Sequence, residues 1–181
     1  MKKKAENYII NGKEFSLFMP QTEIIQIVSN LAERINYDYK DKSPTCILIM
    51  KGSVFFGADL MRLLTIDCRL ESIRSSSYGN RMESSGKVNI QISDLNIKDK
   101  DILIVEDIVD SGRTLKALLV QLNALLPKSI QTVSFLSKPD KRKVNVDVKY
   151  IGKEIIPVFV IGYGLDYDEQ GRHLPNLYAY V

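Results

Sequence analysis

ILIVEDIVDSGRT, at residues 102–114, sets a short apolar run against two adjacent carboxylates and a turn of small residues. Ile102, Leu103, Ile104 and Val105 have no polar residue among them, the pattern of a strand covered on both faces in a parallel sheet. Glu106 and Asp107 follow at its expected end, and open α/β sheets bind ligands outside the carboxyl ends of their strands. Asp110-Ser111-Gly112-Arg113-Thr114 then offers two hydroxyls and successive backbone N–H groups ahead of the apolar-periodic segment 115–126. That order predicts a helix N-terminus suited to an anion. Acids so close would repel a phosphate unless each engaged a different part of one ligand. A ribose 5-phosphate meets this condition, giving its hydroxyls to the carboxylates and its phosphate to the N–H groups. On the string alone, an ordinary solvated turn ahead of a helix cap stays open as the alternative. The string does not fit G-x-x-x-x-G-K-[ST], and Gly162-Tyr163-Gly164 lacks the third glycine of a dinucleotide fingerprint.

Working outward, residues 21–35 carry a helical apolar stripe with Thr22 as its expected cap. Residues 46–50 read as a buried strand ending at Lys51-Gly52, after which Ser53 is placed to cap a helix holding Phe55, Phe56, Ala58, Leu60 and Leu63. A further strand ends near Arg74. Residues 75–87 are polar, with almost no apolar anchor, and read as a lid loop. Strands are expected at 88–92, 130–136 and 155–161. Strands alternating with helices give an α/β fold, a mainly parallel twisted sheet with right-handed crossovers. The loops at Lys51-Gly52 and at 110–114 both follow strands and precede helices, so both anion sites should open on one sheet edge. By itself, Lys51-Gly52 also reads as a surface lysine beside a turn glycine, and Phe159 as a core aromatic.

A chain of 181 residues with 45% hydrophobic and 26% charged residues suits a single domain, 1–181, that needs no disulfide. Cys46 and Cys68 both read as buried thiols in strands, and the sole histidine, His173, has no partner at ligand spacing. A zinc site and a Ser-His-Asp or Cys-His nucleophile are thereby disfavoured, leaving carboxylates, lysines and arginines to carry any chemistry. The net charge of +3 and the short Lys2-Lys3-Lys4 run give no ground for a nucleic acid or membrane partner. No apolar run is long enough to span a bilayer, and the cytoplasm is the default location.

The 102–114 string resembles the phosphoribosyl pyrophosphate motif of type I phosphoribosyltransferases. With Asp110 four residues after Glu106, and with Met50-Lys51-Gly52, Arg74, Ser77-Tyr78, Lys138 and FVIGYGLD at 159–166, the resemblance narrows to the hypoxanthine-guanine branch and covers nearly the whole chain. It implies that family's fold, with a small hood formed from the chain termini, and magnesium-dependent purine salvage. Phosphoribosyl pyrophosphate and a 6-oxopurine base would give IMP or GMP and pyrophosphate. The resemblance makes Asp110 the catalytic base, Glu106 and Asp107 the ribose contacts, and Asp110, Ser111, Gly112, Arg113 and Thr114 the 5′-phosphate cradle. Pyrophosphate falls to Lys51, Gly52, Ser77, Tyr78 and Arg172, with a cis Met50–Lys51 peptide. The purine falls to Lys138, Phe159, Val160 and Asp166, and Mg²⁺ to Asp166 with Glu106 and Asp107. A homodimer or homotetramer is expected. Ser111 and Arg113, taken as departures from Thr and Lys, retain the hydroxyl and the charge. The rival is a nucleotide-binding regulator of the same fold; Asp110 at the base position and the lack of a basic face speak against it.

Overall fold

The computed structural model describes residues 7–77, 88–90 and 95–181. Its centre is the pair of apolar strands β3 (Thr45–Met50) and β6 (Asp101–Val109), which run parallel from Thr45 opposite Ile102 to Leu48 opposite Val105. β4 (Arg69–Ser77) lies outside β3, while β7 (Ser129–Ser137) and β8 (Tyr150–Glu154) continue the sheet beyond β6, all in parallel. β5 (Val88–Ile90) pairs antiparallel with β4, giving the order β5-β4-β3-β6-β7-β8. Side chains alternate across β6 with period two, so its two faces meet different helices. Leu103 and Val105 join Ile24, Val28, Leu31 and Ile35 of α1 (Gln21–Asp38) and Phe56 and Leu60 of α2 (Val54–Leu63). Ile102 and Ile104 pack instead against Leu115, Leu118 and Leu122 of α3 (Arg113–Asn123). Burying each such aliphatic side chain is worth about 1.5–3 kcal/mol, which fixes the strand between its two helical layers.

The hood is a second sheet, built from both ends of the chain. β1 (Tyr8–Ile10), β2 (Lys13–Met19), β10 (Leu177–Tyr180) and β9 (Val160–Ile161) follow one another across it, all antiparallel. Ile10, Phe15, Ile161, Leu174 and Tyr178 form its own small core. Among the described residues no helix is long and apolar enough to cross a membrane.

Several sequence expectations need correction. α1 is capped at Pro20, with no side-chain cap bond, rather than at Thr22, and it continues past Ile35 to Asp38. Ser53 does precede α2, but its hydroxyl donates to the Ile49 carbonyl at 2.7 Å instead of capping the helix. The segment 155–161 is not one strand: β8 ends at Glu154, and only Val160 and Ile161 are extended, in the other sheet. Pro157 lies between them and cannot donate to a ladder. Ser75, Ser76 and Ser77 belong to β4 rather than to a loop, and of the expected lid, residues 78–87, including Tyr78, lie outside the described residues. The expected strand 88–92 is described only over Val88–Ile90. Cys68 precedes β4 and is half-buried, not a strand residue, while Cys46 is fully buried in β3; both are free thiols.

Candidate active site

β6 does not stop at Val105. Its pairing with β3 ends there, but β7 accompanies it as far as Val109 opposite Ser137, so Glu106 and Asp107 are strand residues at the point where one neighbour has left. The two acids then meet different loops: Glu106 lines the cleft ahead of α3, and Asp107 lies against Gly52 in the loop after β3. Glu106 is 7% exposed, and its Oε2 is buried with no hydrogen-bond partner among the described residues. Burial, and secondarily the Asp107 charge, pushes its carboxyl well above the ordinary range. A buried acceptor of this kind is suited to a hydroxyl donor from a ligand.

Glu106 lines one side of a 330 Å³ cleft whose rim is Asp110, Ser111, Gly112, Arg113 and Thr114. Gly112 adopts φ +79, in the left-handed region, and turns the chain into α3. A Cβ there would lie 3.0 Å from Val146 and 3.1 Å from both Arg142 and the Val144 carbonyl. The segment after β7 is therefore pressed against the cradle. Its Lys143 and Val144 N–H groups donate to the Ser111 carbonyl at 3.0 and 3.3 Å. Lys141 and Lys143 line the cleft as well. Neither is among the residues expected from the sequence; the signal was the basic run Lys141-Arg142-Lys143, which by itself reads as a solvated turn.

Lys138 stands at the carboxyl end of β7, its N–H donating to the Val109 carbonyl at 3.0 Å. It is 7% exposed, and its ammonium lies 3.7 Å from Asp110 Oδ2 in an ion pair too long to be a hydrogen bond. Burial lowers the Lys138 pKa, and the Asp110 carboxylate opposes that shift.

Asp107 meets the loop after β3. The Met50–Lys51 peptide is cis. A Cβ on Gly52 would fall 1.6 Å from Asp107 Oδ2, and a Cβ on Gly164, at φ +101, would fall 1.9 Å from the Gly52 carbonyl oxygen. Asp107, Gly52 and Gly164 thus form a stack that only glycine permits at its two loop positions. Arg172 extends it by donating from Nη1 to the Gly164 carbonyl at 2.8 Å and pairing through Nη2 with Asp166 Oδ1 at 2.7 Å. Tyr163, between the two hood glycines, donates its hydroxyl to Asp59 of α2 at 2.9 Å and ties this loop to the main sheet's helical layer. Gly164→Ala should cost about 2–4 kcal/mol, combining left-handed strain with a clash against rigid backbone. A fall in the midpoint of urea unfolding checks this, and an unchanged midpoint would contradict the stack.

Asp107 is pushed up to about 6, chiefly by burial; hydrogen bonds from backbone N–H groups and the Arg172 charge hold it down, and Asp166 raises it further. For an acid raised on folding, the native state binds more protons than the unfolded chain between the two pKa values. Stability therefore falls as pH rises from about 4 to about 6, the reverse of a salt-bridged aspartate. Urea unfolding at about pH 4.5 and about pH 7 should show Asp107→Asn losing less stability than the parent over that interval. Equal losses in the two proteins would exclude Asp107 as the source.

Phe159 and Val160 lie in the hood. The Phe159 ring is engaged by Tyr167, edge-on at 5.9 Å, and by Phe15 at 6.4 Å, while Val160 sits opposite Ala179 of β10. Ser77 closes β4. Among the described residues no group of three or more His, Cys, Asp or Glu side chains is arranged to hold a metal. Asp166 has Oδ1 on Arg172 and accepts the Glu169 N–H on Oδ2 at 2.8 Å. Asp107 and Asp166 sense each other's charge across the Gly52 stack. This donor set fits Mg²⁺ that keeps most of its coordination for water and ligand phosphates, not a closed protein cage.

The phosphoribosyl transferase domain model matches residues 19–168. The hypoxanthine-guanine phosphoribosyltransferase of Staphylococcus epidermidis is 39% identical over 164 residues, 90% of this chain and 91% of that protein. Its Staphylococcus aureus counterpart is 38% identical over 163 residues, covering 89% and 90%. Among solved structures, a hypoxanthine-guanine phosphoribosyltransferase from Bacillus anthracis superposes with TM-score 0.85 at 36% identity, over 91% of this chain and 98% of that one. A Staphylococcus aureus hypoxanthine phosphoribosyltransferase gives the same TM-score, 0.85, at 36% identity over 91% and 90%.

Proposed function

Because the chain belongs to the phosphoribosyltransferase family, in its hypoxanthine-guanine branch, we propose that it is a purine-salvage enzyme. It moves the 5-phosphoribosyl group of phosphoribosyl pyrophosphate to N9 of hypoxanthine or guanine, releasing IMP or GMP and pyrophosphate. The observation that carries this reading is the Lys138–Asp110 pair, 3.7 Å apart beside the cradle. A 6-oxopurine presents O6 and N7 as neighbours on one edge. Lys138, a donor only, takes O6, and Asp110 accepts the N7 proton as N9 attacks C1′. Positive charge developing on the base is thereby relieved into a carboxylate already held at that edge.

The 5′-phosphate occupies the cleft of residues 110–114, with Lys141 and Lys143 adding charge at its wall. Glu106 and Asp107 take the ribose hydroxyls, and carboxylate charge beside the ring favours an oxocarbenium-like C1′. Lys51, the Gly52 backbone and Arg172 receive the leaving pyrophosphate, with Ser77 and Tyr78 as further contacts. Phe159 stacks on the purine, Val160 meets it through its backbone, and the segment that begins at Asp166 borders its C2 side. Asp166, Asp107 and Glu106 would hold Mg²⁺, which would supply neutralisation of the leaving-group charge. The enzyme acts in the cytoplasm as a homodimer or homotetramer, one domain per chain. Steady-state turnover of hypoxanthine, guanine, xanthine and adenine with phosphoribosyl pyrophosphate and Mg²⁺ tests the reading directly. Absence of nucleotide product from every base would refute it.

A further inference from the structure

Lys51 and Arg172 reach one carboxylate. Glu169 Oε2 lies 2.7 Å from Lys51 Nζ and 3.6 Å from Arg172 Nη2, so a single oxygen bridges two cations from separate loops. The Lys51 contact holds the Glu169 carboxyl below the usual glutamate range, with Arg172 adding to the effect. We propose that Glu169 is an internal counter-ion of the pyrophosphate site: it gathers the two cations before ligand binds and is displaced when the diphosphate arrives. The inference rests on the reading that Lys51 and Arg172 receive pyrophosphate.

Three features favour a displaceable partner over a structural one. The Lys51 and Glu169 side chains are 53% and 66% exposed, and ion pairs so open to water are weak and exchange readily. The turn that carries Glu169 is fixed by its backbone instead: the Glu169 N–H donates to Asp166 Oδ2 at 2.8 Å, and Tyr167 and Gln170 exchange two backbone bonds of 3.0 Å. Arg172 is held separately by its bonds to the Gly164 carbonyl and to Asp166, at 2.8 and 2.7 Å, against 3.6 Å to Glu169. A diphosphate offers several anionic oxygens in place of one carboxylate oxygen, so exchange is favourable, but the competing carboxylate keeps product affinity down. Weak product binding speeds release, a step that often limits turnover.

Glu169→Gln preserves length and the turn while removing the charge. In the reverse reaction the KM for pyrophosphate should fall about two- to tenfold, the range of one or two exposed ion pairs. The KM for IMP, which carries no diphosphate, should stay unchanged and serves as the internal reference. Calorimetric titration of magnesium pyrophosphate into each protein should show the same tightening without requiring turnover. An unchanged or raised pyrophosphate KM, or a fall shared equally by IMP, overturns the counter-ion role. Failure of both proteins to convert any purine would instead overturn the reading beneath it, with the calorimetric comparison still deciding the role of Glu169.

Discussion

Asp110→Asn should lower turnover by about 10²- to 10⁴-fold while phosphoribosyl pyrophosphate still binds, the range expected for a lost general acid or base. The carboxylate is half-exposed at the cleft rim, and the asparagine amide can occupy the same space. The cradle's remaining ligands, the backbone N–H groups and hydroxyls of Ser111 to Thr114, do not depend on its charge. What the change removes is the acceptor for the purine proton, together with the counter-charge of Lys138. That ammonium is 7% exposed, so without Asp110 burial acts on it unopposed and its pKa drops further. Part of the loss should therefore appear as weaker purine binding at high pH. Dissociation constants for phosphoribosyl pyrophosphate measured beside kcat separate these effects. Near-parent turnover would remove Asp110 from the chemistry.

The parts of this site that were legible in the sequence are those set by contiguous residues. The apolar run into Glu106-Asp107 and the small-residue turn into α3 each encode their geometry locally, through continuous burial on both faces and the positive φ at Gly112. The strand nevertheless runs four residues beyond Val105, because β7 still pairs with it after β3 has turned away, and no local pattern records a neighbour's length. The cap of α1 fails for a similar reason. Gln21 N–H is taken by Asn176 Oδ1 at 2.8 Å, so a residue 155 positions away satisfies a donor at the helix start, and the Ile24 N–H that a Thr22 cap would have served goes to the Pro20 carbonyl at 3.2 Å. Gly52 and Gly164 were visible as glycines, but their need to be glycine comes from each other and from Asp107 across separate elements. Glu169 carries no motif, and its partner Lys51 is 118 residues distant. Tertiary pairing, not propensity, decides such positions.

Hypoxanthine or guanine should outcompete adenine by about 10⁴ in kcat/KM, as is typical when a buried polar group must otherwise go unpaired. Lys138 has no acceptor to offer, whereas adenine replaces O6 with an amino group that is itself a donor. With its ammonium buried beside Asp110, the lysine cannot turn to water to recover the lost bond, so the penalty falls on the adenine complex. Lys138→Ala should lose most of the 6-oxopurine rate and flatten the preference. Lys138→Gln is the sharper variant, since a carboxamide can present either its carbonyl or its amino group and should raise adenine turnover above that of the parent. The two variants also separate recognition from stability: a merely structural lysine would lower all substrates together. Equal competition by adenine in the parent, or a preference untouched in both variants, would place base recognition elsewhere, with the hood residues Phe159 and Val160 the next to test.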